Sequence, residues 1–152
     1  MRAFVLAMLL VALSVHAANA WWQYAKWGMT EGQILAANQG RVSPCTPDVP
    51  ACAATAGTHQ PKFFVEGIHM LAMPVSVSFG FDEGGRLDQT VVVFPDSEFE
   101  VVAKMLTGVN GSPVSERPGS KPVATWRDDR RDSTITLTGN GRSSTAVYRP
   151  AT

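Results

Sequence analysis

Of three histidines, His16 lies in the expected signal segment; His59 and His69, a pair of serines on one strand and a knot of aspartates are the groups in this chain with the chemistry for a reaction or a metal. His59 and His69 would need a third ligand, such as Asp48 or Glu66, to hold a metal; the plainer reading is one loop histidine and one on a sheet surface. Ser76 and Ser78 could serve as nucleophiles with His69 and Asp82, yet neither stands in a Gly-x-Ser-x-Gly turn. Asp128, Asp129 and Asp132 could offer oxygens to Ca²⁺. They lack the EF-hand spacing, and Arg127, Arg130 and Arg131 interleave them, which describes a charged hairpin tip whose Arg130 or Arg131 could meet an acidic partner. Asp82-Glu83, Asp96 and Gly84-Gly85 read as turn and helix-entrance residues. No catalytic residue, no metal and no cofactor is therefore assigned, and the expected class is a binding protein rather than an enzyme.

Cys45 and Cys52 bracket the Pro-rich stretch Thr46 to Ala51. If the chain is exported, they should form a disulfide that staples a surface loop, with a chain-entropy contribution of roughly 2.5 kcal/mol. Export is expected from the start of the chain. Met1-Arg2 gives a positive end, Phe4 to Val15 an apolar segment too short to span a bilayer, and Ala18-Asn19-Ala20 a cleavage site. Cleavage after Ala20 leaves residues 21–152 with no lipid-anchoring Cys. Arg2 is the one cation lost from 13 Lys and Arg, so the remainder is close to neutral against 13 Asp and Glu. Such balance, with no polybasic run, argues against nucleic acid as a partner.

The elements that must position these groups follow from periodicity. Thr30-Glu31-Gly32-Gln33 and Ser97-Glu98-Phe99-Glu100 each resemble a capping box opening a helix, and the two starts stand 67 residues apart. The first helix should run to about Gln39 with Gly40 as its cap. The second carries the stripe Phe99, Val102, Met105, Leu106 and Val109 and stops at Asn110-Gly111-Ser112-Pro113. Residues 41–60 read as irregular. Strands are expected over Lys62–Leu71, with a bend at Gly67, over Val75–Phe81 and over Leu87–Phe94, then at Val123–Trp126, Ser133–Thr138 and Thr145–Tyr148. In the clearest strand Val75, Val77, Phe79 and Phe81 share one face and Ser76, Ser78 and Gly80 the other, which must meet solvent or a partner.

The pattern predicts an α+β fold of tandem helix-plus-antiparallel-sheet repeats, 21–94 with the disulfide loop 45–52 and 95–152. Two packed sheets or one continuous curved sheet embracing both helices would satisfy it. Trp21, Trp22 and Trp27 form an aromatic cluster that either covers the core end or offers a binding patch.

Tyr24 to Ile34, with Gly28-Met29-Thr30 and Gln33, resembles the helix entrance of the SmpA/OmlA-like outer-membrane assembly lipoproteins and the opening of small exported bacterial proteins sharing the beta-lactamase inhibitory protein fold. Phe79-Gly80-Phe81-Asp82, Gly85-Arg86-Leu87, Ala124-Thr125-Trp126 and Ile135-Thr136-Leu137 resemble strands of those proteins. The resemblance implies tandem repeats, each with a helix against a four-stranded antiparallel sheet, a periplasmic address and a gram-negative source; it carries over no inhibitory residue. The expected function is a soluble periplasmic protein-binding or accessory protein that meets another periplasmic or envelope protein through Trp21, Trp22, Trp27, Ser76, Ser78, Arg130 and Arg131. The alternatives are a small-ligand carrier using a crevice between repeats and a hydrolase with an unrecognised site.

Overall fold

A computed structural model describes residues 24–38, 40–54 and 59–152. The expected signal peptide, Trp21 and Trp22 lie outside these residues. The elements run α1 Glu31–Asn38, β1 Ser43–Pro44, α2 Pro50–Ala53, β2 Pro61–Met70, β3 Met73–Phe81, β4 Leu87–Phe94, α3 Phe99–Asn110, β5 Ser115–Arg117, β6 Val123–Asp128, β7 Ser133–Asn140 and β8 Ser143–Pro150.

All eight strands belong to one antiparallel sheet in the order β1-β2-β3-β4-β8-β7-β6-β5. This corrects the α+β reading of beta-lactamase-inhibitory-protein-like tandem repeats: the fold is mostly β, with few, short helices against the single sheet. Of the two arrangements the strand pattern allowed, the continuous sheet is the one formed. β4 and β8 pair from Thr90↔Tyr148 to Phe94↔Ser144, so the place expected to hold a crevice between repeats is a hydrogen-bonded ladder.

Period-two alternation gives the sheet two unlike faces. One carries Val77, Phe79, Leu87, Val92, Trp126, Ile135, Leu137, Ala146 and Tyr148, which are buried together. Helix α3 lies over β6, β7 and β8 and contributes Val102 and Leu106, while Ala25, Trp27, Met29 and Ile34 of the N-terminal segment complete the same core. Each fully buried large side chain there contributes about 2 kcal/mol through area removed from water. On the opposite face, among the described residues, α2 and the disulfide loop lie over β2, β3 and β4, and Ala51 clusters with Val91 and Val93 of β4 and Val147 of β8.

The two expected capping boxes have different fates. Thr30 N–H donates to Gln33 Oε1 at 2.9 Å and Gln33 N–H to Thr30 Oγ1 at 3.2 Å, a complete reciprocal box. Helix α3 starts later than expected: Glu98 is its N-cap and makes no side-chain cap bond. The Ser97 carbonyl instead accepts from Ser144 Oγ at 2.8 Å, so the chain before α3 is held to β8.

Thr90 lies on the apolar face opposite Tyr148, and its buried hydroxyl has no hydrogen-bond partner among the described residues. Valine keeps the shape and removes that unpaired group. Thr90→Val should therefore stabilise the fold by about 1 kcal/mol in urea unfolding, and an equal loss would show that the hydroxyl is satisfied in solution.

Candidate functional site

The β2–β3 hairpin ends in a two-residue loop, since Met70 pairs with Met73. Its central residues, Leu71 and Ala72, have φ of 47° and 68°. That backbone matches the twist of the strands, but it normally calls on Asn or Gly, and an L side chain in it costs about 1 kcal/mol or more per residue. The neighbouring β7–β8 hairpin solves the same problem with Gly141 at φ 63°. The strained tip displays Leu71 at 72% exposure.

Beside the tip opens a cavity of about 190 Å³ between the hairpin and the last turns of α3. Met70, Leu71, Met105, Leu106 and Val109 form its apolar walls, and Ile135 and Tyr148 of the sheet close its floor. Val109, last of the helical stripe, is 48% exposed where the others turn inward. Two methionines make such walls adaptable, because the unbranched thioether fits irregular partners. Burial pushes the Tyr148 phenol far above its ordinary pKa, despite the opposing charge of Arg131, so the floor is uncharged.

One rim is basic. Asp128 is buried and accepts from Arg131 Nη1 at 2.8 Å, from Arg130 Nε at 3.5 Å and from Arg130 N–H at 3.1 Å. Arg130 Nη2 also donates to the Val109 carbonyl at 3.0 Å, tying the β6–β7 tip to the end of α3. Asp128 therefore answers two guanidiniums with one carboxylate, while Asp129 and Asp132 both turn to Arg127, so the charges of the tip balance but Arg130 and Arg131 are the ones on the pocket side. Burial raises the Asp128 pKa, but the Arg131 bond and charge, the Arg130 charge and the Arg130 amide together hold it below the usual carboxylate value.

The other expected site residues are dispersed. Trp27 is half-buried against the core and its Nε1 donates to Ser133 Oγ at 3.0 Å. Ser76 and Ser78 are buried at 4% and 0% exposure: Ser76 Oγ accepts from Ala51 N–H at 3.3 Å and Ser78 Oγ donates to the Ala51 carbonyl at 2.8 Å. The surface they line is thus filled by the chain's own α2, inside the loop that the Cys45–Cys52 disulfide closes. His69, exposed on β2, pairs with Pro74 and makes no hydrogen bond to either serine among the described residues, and Asp82 Oδ1 accepts the Arg86 amide within its own turn. His59 Nδ1 lies 2.9 Å from Asp88. Burial raises the Asp88 carboxyl pKa against the pull of His59, with Asp82 adding repulsion. Asp129 and Asp132 both meet Arg127, so the aspartate knot is committed to arginines. No group of three metal-ligating side chains converges among the described residues.

No sequence signal marks Leu71, Met70 or Met105 as a site. The pattern places Leu71 in a strand because Leu-Ala carries no turn signal, and Met105 reads as ordinary core.

No protein-family model matches the chain, and a comparison with curated proteins finds no match. Among solved structures, the chain is similar to the crystal structure of YjgB, a DUF4309 family protein of Bacillus subtilis. The two share 10% identity over 84% of this chain and 82% of that one, with a TM-score of 0.47. The resemblance to the beta-lactamase inhibitory protein fold is not confirmed.

Because the Asp128 pKa is lowered on folding, its contribution is present above the unfolded value near 4 and is lost as pH falls through the folded one. Asp128→Asn should cost about 2 kcal/mol at pH 7, a difference that shrinks steadily below about pH 4. A gap independent of pH would contradict the charged role.

Proposed function

We propose that this is an exported, non-enzymatic binding protein of the bacterial envelope, and that it docks a protein partner at the hairpin-tip pocket. The occupant is an apolar side chain followed or preceded by a carboxylate. The observation that carries this reading is the strained Leu71-Ala72 tip, which holds a large apolar side chain in solvent beside an apolar cavity. Strain at a functional surface persists where the rest of the fold over-determines it, and here the long β2–β3 ladder does so. Arg131 in the pocket lining and Arg130 beside it present guanidiniums to the acidic neighbour, while Asp129 and Asp132 are turned to Arg127. Buried aromatic, Met and Leu contacts ringed by charge are the composition of a small interface centre.

Selection from a phage-displayed peptide library on the disulfide-bonded protein tests this. Enriched peptides should carry Leu, Met or Phe next to Asp or Glu, and Leu71→Asp should weaken them about tenfold or more. Replacing the tip by Asn-Gly should raise stability by about 1 kcal/mol while losing the same affinity. Peptides without the apolar-acidic pair, or binding unchanged by both variants, would overturn the reading.

A further inference from the structure

Beyond α2 the opposite face holds a second cavity among the described residues, and its chemistry differs from that of the pocket. It is a trough of about 690 Å³ running over β7 and β8. The alternation Thr134-Ile135-Thr136-Leu137-Thr138 buries Ile135 and Leu137 on the core side, so the three threonines must face the other way. Thr138 pairs with Thr145, and Thr134 pairs with Arg149 across the β7–β8 ladder. The floor is therefore a raft of hydroxyls, each able to donate and accept. Ala53 and Ala54, at the end of the disulfide loop, supply one wall.

Charge separates this trough from an ordinary polar surface. Lys121 and Arg149 line it, and no carboxylate does among the described residues. Arg149 is held in place by its bond to Gln89 Oε1 at 3.0 Å, while Lys121 makes no ion pair among the described residues. Lys121 stands beside Pro122, whose carbonyl accepts from Gly139 N–H at 3.0 Å, just past Thr138; Arg149 stands opposite Thr134. The two cations thus stand just beyond one end and at the other end of the threonine row, about 20 Å apart along the strands by six residues of extended chain. Asp88 lies near enough to Arg149 to feel its charge, but it is paired with His59 and does not line the trough.

We infer that the trough is a binding site for an acidic oligosaccharide. Its hydroxyls would exchange hydrogen bonds with the threonines, and its carboxylate or phosphate groups would meet Lys121 and Arg149. The spacing of the cations asks for a ligand longer than a single small anion, and the threonine floor asks for one rich in hydroxyls. An extended acidic peptide would satisfy the cations but leave the hydroxyl raft unused. The site lies on the face opposite the hairpin-tip core, so its success or failure is independent of the partner pocket.

Titration of the folded protein with tetragalacturonate, phosphorylated maltotetraose, neutral maltotetraose and tetraglutamate, followed by backbone amide NMR, tests the inference. Either acidic saccharide should saturably shift the amides of 134–138 and 145–149, and the one that binds identifies the anion. Lys121→Gln, an exposed change, should weaken that binding about fivefold, and Thr136→Val by threefold or more, with unfolding midpoints measured to confirm that both variants fold. Absence of saturable shifts with both acidic saccharides overturns the assignment. Equal binding of neutral maltotetraose or of tetraglutamate overturns it as well.

Discussion

The pairing of β4 with β8 is the constraint from which the rest of the molecule follows. It joins strands from the two halves of the chain through five residue pairs, and its alternation sends Val92, Ala146 and Tyr148 to one face and Val91, Val93 and Val147 to the other. A one-residue slip would exchange those sets, exposing the core residues and burying Arg149. With the register fixed, β3 and β7 flank the central pair, and α3 has an apolar surface to lie on. Both cavities are consequences: one where α3 runs out past the core face beside the β2–β3 tip, the other on the opposite face over β7 and β8, beyond α2.

The same pairing explains why the disulfide loop matters. An antiparallel sheet can leave one face to solvent, but Ser76, Ser78 and Gly80 on β3 do not use that freedom. The serines hold both the amide and the carbonyl of Ala51, and α2 sits over them. Gly80 continues that stripe: a side chain there would meet Gln89 at 3.3 Å. The loop is thereby a lid on half of the polar face, and its far end becomes one wall of the threonine trough.

Much of this was legible in the sequence. The strands of β2 to β4 and β6 to β8, the Gly67 irregularity, the α3 stripe and the Thr30 capping box all follow from periodicity and turn chemistry. What misled was similarity of local signals: Ser97 carries the spacing of a cap, yet its carbonyl is recruited by Ser144, a contact 47 residues away. A repeat of helix and strands suggested tandem α+β units, whereas strand pairing between the halves is a tertiary choice that no local pattern encodes. The short elements β1, α2 and β5 escaped because two to four residues carry no periodicity. The trough was readable in principle, since outward threonines follow directly from inward Ile135 and Leu137. The hairpin pocket was not, because Leu71-Ala72 adopts a backbone its residue types disfavour.

The two halves form one sheet, and so one cooperative body presenting separate faces. Native-state hydrogen exchange across a urea series tests it most directly, because it reads the free energy of opening strand by strand. Amides of β3, β4, β7 and β8 should exchange through a single global opening with the same urea dependence. Two distinct openings, with β3 and β4 exposed while β7 and β8 stay protected or the reverse, would contradict it.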